Sequence, residues 1–127
     1  MIVLDASVLI AHVDDADVHH DRAVELLLRA GDEELRASRL SLVEFLVGPA
    51  RAGQLELATA ALRSLEVASV GLEEDAPASL AQLRAVTGLR LPDCCVLLSA
   101  EQTQGAVATF DDPLAAVARG RGISVWD

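Results

Sequence analysis

Short runs of Val, Leu, Ile and Ala alternate along the chain with longer segments whose apolar positions recur at helical spacing. Ile2-Val3-Leu4 predicts a first strand, and Val8, Leu9 and Ile10 a short helix after it. The polar stretch Asp14-Asp15-Ala16-Asp17 predicts a loop. From about His20, Ala23, Leu26, Leu27 and Ala30 share one helical face until Gly31 ends it. Arg36-Ala37-Ser38 predicts a second strand, Ser41 opens a helix that Gly48-Pro49 closes, and another helix spans about Gln54 to Leu65. Val67 to Val70 predicts the third strand, and Ala78 to Val86 a helix closed by Gly88. Pro92 suits the first position of a helix running from Asp93 to about Gln102. Ala106-Val107-Ala108 reads as a buried strand, Asp111 or Asp112 caps a helix with Pro113 at its start, and Ile123-Ser124-Val125 ends the series. This alternation predicts an α/β fold with a largely parallel sheet. With no linker, repeat or low-complexity segment, one domain over residues 1–127 is expected.

The 127 residues are 52% hydrophobic, enough for a core of one domain. Ten Arg, no Lys and twenty Asp plus Glu give a formal net charge of -10. A chain this acidic is not held to a polyanion by its overall field, so an enzyme of nucleic acids built on it needs positive charge from elsewhere. The acid surplus is either a solubilising surface or includes carboxylates gathered to hold cations. No apolar run reaches the ~18 residues of a membrane helix and no charged leader precedes Ile2, which predicts a cytoplasmic protein without membrane contact. Cys94 and Cys95 are adjacent, poorly placed to bridge each other, and read as buried thiols. Two Phe, one Trp and no Tyr argue against a stacking platform for bases.

Four acids hold comparable places in this scheme. Asp5 ends the first strand, Glu44 begins the helix after the second, Asp93 begins a helix after a short turn, and Asp111 follows the strand at Ala106-Ala108. Ligands of open parallel sheets bind at the carboxyl ends of strands, so these acids are expected on one edge. Local roles compete with chemistry for three of them. Ser41-Leu-Val-Glu44 reads as a capping box, Asp93 complements a helix dipole, and Asp111-Asp112-Pro113 is an ordinary N-cap sequence. Asp5 has no such local role, and a buried charge needs a partner. Two carboxylates at ~4 Å repel by about 4 kcal/mol at an effective dielectric near 20, a penalty that a divalent cation removes. Oxygen-only ligands favour Mg²⁺ or Mn²⁺, and the chemistry so implied is metal-assisted phosphodiester hydrolysis. Ser7 and Thr109, each two residues from an acid, are placed to position a water or a phosphate oxygen, or to cap helices.

Other acidic α/β readings fare worse. A phospho-acceptor receiver domain needs a lysine that this chain lacks, and an aspartyl phosphatase needs a D-x-D pair where Asp5-Ala6-Ser7 stands. Glycine-rich phosphate loops are absent. Read as a calcium loop from Asp15, the segment carries His20 where Gly is needed and Leu26 where Glu is needed, so Asp14, Asp15, Asp17, His19, His20 and Asp21 read as a loop capping the next helix. His12 reads as a packed or surface side chain rather than a base.

The segments Met1-Ile-Val-Leu-Asp5-Ala-Ser7-Val-Leu-Ile, Ser41-Leu-Val-Glu44-Phe-Leu-Val-Gly48-Pro49-Ala-Arg51, Leu91-Pro92-Asp93 and Ala108-Thr109-Phe110-Asp111, followed by Leu114 and Ala118, resemble PIN-domain proteins. More narrowly they resemble the VapC-type toxins of bacterial toxin-antitoxin modules, over essentially the whole chain. The resemblance implies a three-layer α/β/α fold around a mainly parallel five-stranded sheet of order 3-2-1-4-5. It also implies a Mg²⁺- or Mn²⁺-dependent endoribonuclease, a homodimer, and neutralisation by a cognate VapB-type antitoxin in a hetero-oligomer. Carried over, Asp5 and Asp93 are direct metal ligands, Glu44 and Asp111 complete the shell directly or through water, and Ser7 and Thr109 support them. Asp112 stands beside the fourth ligand position, where the Thr-Phe-Asp order favours Asp111. Arg51, Arg90, Arg119 and Arg121 are candidates to pair with RNA phosphate or antitoxin carboxylate. Leu9, Phe45 and Leu46 either line a partner groove or pack the core. The competing readings are a non-catalytic PIN-type RNA- or protein-binding module and a nuclease of structured DNA, for which the short chain lacks the helical arch.

Overall fold

The computed structural model describes all 127 residues, Met1–Asp127. The chain runs β1 (Ile2–Leu4), α1 (Ala6–Val13), α2 (His20–Ala30), β2 (Leu35–Ser38), α3 (Arg39–Arg51), α4 (Leu55–Ser64), β3 (Ala68–Val70), α5 (Ala76–Thr87), α6 (Leu91–Thr103), β4 (Ala106–Ala108), α7 (Asp112–Gly120) and β5 (Val125–Trp126). The strands form one five-stranded sheet in the order β3-β2-β1-β4-β5. Every pairing is parallel, with Val3 opposite Arg36 on one side and Val107 on the other.

Period-two alternation in the strands divides the core. Ile2, Leu4, Leu35, Ala37 and Ala108 face a cluster with Val8 and Leu9 of α1, Leu26 of α2, Phe45 of α3 and Ala58 of α4. Val3 and Val107 face the opposite cluster, built on α5, α6 and Leu114 and Ala118 of α7. The molecule is thus three-layered, α1–α4 over one face and α5–α7 over the other. Helix α6 is buried from Asp93 through Ala100, eight consecutive residues of which the seven after Asp93 are Cys, Val, Leu, Ser and Ala. A helix with no polar side reads as core throughout.

Four local readings differ from expectation. The cap of α3 is Ser38, whose Oγ accepts from the Ser41 backbone N–H at 3.1 Å and donates to Ser41 Oγ at 3.0 Å. Ser41 is therefore inside the helix, and Ser41-Leu-Val-Glu44 is no capping box. Helix α3 also continues past Gly48-Pro49 to Arg51. A proline two residues from a helix end removes a single backbone donor, which the last turn tolerates. In α6 the helix starts at Leu91, one residue before Pro92, and β5 lies at Val125–Trp126 instead of Ile123–Val125. Gly88, in the left-handed region at φ 69°, closes α5 as expected.

Candidate active site

Strand β1 delivers Asp5 to the carboxyl edge of the sheet, where its backbone N–H still donates to Ala108 O of β4 at 2.9 Å. Asp5 precedes α1 but makes no side-chain capping bond to it. Its Oδ2 instead accepts from Ser7 Oγ at 2.6 Å and Thr109 Oγ1 at 2.9 Å. Both hydroxyls are themselves held: Ser7 Oγ accepts from the Phe110 N–H and Thr109 Oγ1 from the Asp111 N–H, each at 3.0 Å. The carboxylate is 95% buried, yet only one of its oxygens is engaged, and the other is not sealed from solvent. The two hydroxyls thus fix the carboxylate and leave its second oxygen free to accept.

Asp93, in the first turn of α6, is 4% exposed and makes no hydrogen bond short enough to satisfy it. Its nearest counter-charge is Arg90, whose Nε lies 3.5 Å from Asp93 Oδ2 while Nη1 lies 3.9 Å from Glu44 Oε2. Glu44 reaches this point because Leu40, a turn earlier on α3, packs on the cluster containing α6. Burial raises the Asp93 carboxyl above its ordinary range, Arg90 opposes the shift, and Asp5 and Asp111 add to it. Burial likewise raises Glu44, against Arg90, with Asp5 and Asp93 adding. Arg90 is held more firmly protonated, first by Asp93 and then by Glu44 and Asp111.

The four acids expected on one edge therefore share one electrostatic neighbourhood. Asp111 in addition caps α7, its Oδ1 accepting from the Leu114 N–H at 2.9 Å. Asp112 begins α7 and is exposed. As the side chains stand, no three acids, His or Cys close on a common point at ligand distance. The donor set is oxygen only and its members feel one another's charge, which fits a hard ion that keeps waters between itself and some carboxylates.

Of the four arginines singled out from the sequence, Arg90 alone lies among the acids. Arg119 and Arg121 stand at the far end of α7, paired with Asp127 at 2.7 Å and Glu101 at 2.6 Å. Arg51 ends α3, exposed and without a carboxylate partner. The loop before α2 is made of short turns, Asp14 Oδ1 accepting from the Ala16 N–H and Asp17 Oδ1 from the His19 N–H. His12 Nδ1 is buried without a partner, and burial, with His20 nearby, lowers its pKa. Cys94 and Cys95 are buried thiols, both pushed up by burial. Leu9 and Phe45 belong to the core, although Phe45 also floors an apolar groove with Ile10, Val13 and Pro49, at whose rim Glu44 stands. Sequence reasoning missed that Arg90 serves the acids directly. Its spacing of three residues before Asp93, in a helix start, was the available signal.

The family model of the PIN domain matches residues 2–120. No curated protein sequence matches significantly. Among solved structures, FitAcB from Neisseria gonorrhoeae is similar with a TM-score of 0.76 and 21% identity, over 100% of this chain and 97% of that one. A toxin-antitoxin complex from Klebsiella pneumoniae gives 0.73 and 22%, over 91% of each chain. VapC20 of Mycobacterium tuberculosis, a toxin that cleaves the sarcin-ricin loop, gives 0.71 and 17%, over 92% of this chain and 95% of that one. At such identities the likeness is one of fold.

Proposed function

The chain belongs to the PIN-domain family, and from that premise we propose that it is a metal-dependent endoribonuclease acting as the toxin of a toxin-antitoxin module. The observation that carries the reading is the pair of nearly buried carboxylates, Asp5 and Asp93, close enough to Glu44 and Asp111 for charge within the group to raise the pKa values of Asp93 and Glu44. Structural charge pairs are normally satisfied from within, whereas these acids have a single, 67% exposed arginine among them.

In this reading Asp5 and Asp93 would hold Mg²⁺ or Mn²⁺ directly, and Glu44 and Asp111 would complete the shell directly or through water. Such an ion supplies an attacking water of lowered pKa and offsets charge on the leaving oxygen. Ser7 and Thr109 fix the rotamer of Asp5, so that its free oxygen keeps its aim. Arg90, which stands between Asp93 and Glu44, would be available to pair with RNA phosphate where a bound cation takes up their charge. The groove lined by Ile10, Val13, Phe45 and Pro49 beside Glu44, together with the likeness to a toxin-antitoxin complex, supports the antitoxin part of the reading, in which that groove takes an apolar segment of a VapB-type antitoxin. A homodimer and a hetero-oligomer with antitoxin belong to the same proposal, as does a cytoplasmic site of action. No helix is long and apolar enough to cross a membrane.

The test is cleavage of an RNA mixture by the purified chain with Mn²⁺, in parallel with Asp93→Asn. Wild type is expected to cut and to stop on chelation, while the variant keeps its circular dichroism and cuts nothing. An active D93N protein would sink the metal mechanism. Calorimetry with no heat of Mn²⁺ binding to wild type would leave a non-catalytic RNA- or protein-binding module in its place.

A further inference from the structure

The chain has three aromatic residues of the Phe, Trp and Tyr kind, and only Phe45 is in the core. The other two, Phe110 and Trp126, are half-buried on the face of the sheet that α2 covers. Each lies under an arginine of α2. The Arg22 guanidinium carbon is 5.1 Å from the Phe110 ring centroid, and that of Arg29 is 4.9 Å from the centroid of the Trp126 six- and five-membered system. His19, at the start of α2, stacks on Phe110 with centroids 4.8 Å apart and planes 15° from parallel. Residues 22 and 29 are two helical turns apart, a rise of about 10.5 Å along the axis, so both arginines lie on one edge of α2.

Most other arginines are committed. Arg36, Arg90, Arg119 and Arg121 face carboxylates, and Arg84 donates to Leu89 O. Arg22 and Arg29 are exposed and pair with no acid, although Glu25 lies between them on the same helix. A guanidinium held by its face on a ring keeps its N–H edges free, and for a planar five-donor group those edges are what bind phosphate. The strip also starts at the acids: the Phe110 N–H is bonded to Ser7 Oγ, and Phe110 directly precedes Asp111.

Resting on the nuclease reading above, we infer that Arg22 and Arg29, seated on Phe110 and Trp126, form the track that carries the single-stranded RNA substrate away from the acidic site. The spacing spans roughly three phosphates of a stacked strand at ~3.4 Å each. His19 on Phe110 offers the first unpaired base a flat surface beside the scissile position. This places positive charge where a polyanion needs it in a chain of net charge -10. An acidic peptide would use the cations but gain nothing from the rings, which is why the strip fits RNA better.

The probe is a fluorescent twelve-nucleotide oligoribonucleotide of mixed sequence, its anisotropy followed against salt without divalent ions, so that cleavage plays no part. R22A/R29A is expected to bind about tenfold more weakly and to lower the salt slope by about 1.4, two phosphate contacts at ~0.7 each on a single strand. R22K/R29K keeps the slope, and R36A/R63A, an equal loss of charge elsewhere, behaves as wild type. Wild-type binding by R22A/R29A, or an equal loss in R36A/R63A, overturns the track. So does a double variant that keeps the oligonucleotide but loses an oligoglutamate peptide, which would assign the strip to an acidic protein. A chain that binds through Arg22 and Arg29 yet cuts nothing with Mn²⁺ keeps the track and removes the nuclease reading instead.

Discussion

Asp5 illustrates how a single carboxylate is aimed. Two hydroxyls, from positions 7 and 109, converge on one oxygen, so the side chain cannot rotate without giving up both bonds. The sequence exposes both hydroxyls as neighbours of acids, but only the parallel register of β1 and β4 brings residues 104 apart to 2.9 Å. Thr109→Val keeps the shape of the side chain and removes its bond to Asp5 and its acceptor for the Asp111 N–H. Groups that orient metal ligands are typically worth 10–100-fold in affinity or activity, so T109V is expected to weaken Mn²⁺ binding by about tenfold or more. Calorimetry with Mn²⁺ checks it; unchanged affinity would mean that Thr109 serves the fold alone. Glu44 makes the complementary case, because its sequence context supplies an apparent local role that vanishes once Ser38 is the cap.

Helix α3 depends on that cap, and Glu44 depends on the helix. Ser38 satisfies the N–H of Ser41 inside a site closed to water, with Ser38 1% and Ser41 0% exposed. Ser38→Ala is expected to cost about 1 kcal/mol, near 4 °C in Tm for a chain of this size, and more than Ser41→Ala does. Thermal melts of the two variants decide it, since the reverse order would restore Ser41 as the cap. The same helix marks where reading elements from sequence succeeds and stops. The alternation of apolar runs carries the order of all twelve elements, because burial on one face is a periodic constraint that the order of residues expresses. End points are less legible. The start of α3 turns on which of two serines near the strand end takes extended backbone, and its end on whether Pro49 meets a carbonyl that still needs a donor. Local sequence states neither. The grouping of the candidate acids was legible for the same reason: strand ends and helix starts are visible. Its cations were not, because Arg22, Arg29 and Arg90 acquire meaning only from rings and carboxylates brought near by the fold.

At the scale of the molecule, the proposed metal site at the sheet edge predicts a conflict between stability and metal binding that changes with pH. Burial holds the folded-state pKa of Asp93 above its ordinary 3.8, and that of Glu44 above its ordinary 4.5. The native state then binds protons more readily than the unfolded chain. Its stability from these groups is full below the ordinary values and is lost as pH rises through the raised ones. Comparing Asp93→Asn with wild type isolates one carboxylate from the rest of a chain with twenty acids. Without metal, D93N is expected to match wild type near pH 3.5 and to melt progressively higher than wild type as the pH approaches 7. Metal reverses the order, because ligand carboxylates must be ionised to bind. At about a hundred times its Kd, Mn²⁺ is worth roughly 2.7 kcal/mol, near 10 °C in a domain of this length, and the gain shrinks as pH falls. D93N forfeits that gain, so the two melting curves cross when Mn²⁺ is added at neutral pH. Differential scanning fluorimetry across pH, with and without Mn²⁺, reads both arms. A D93N protein that is less stable than wild type at pH 7 without metal would make Asp93 a structural partner of Arg90. One that gains as much from Mn²⁺ as wild type does would move the ion away from α6.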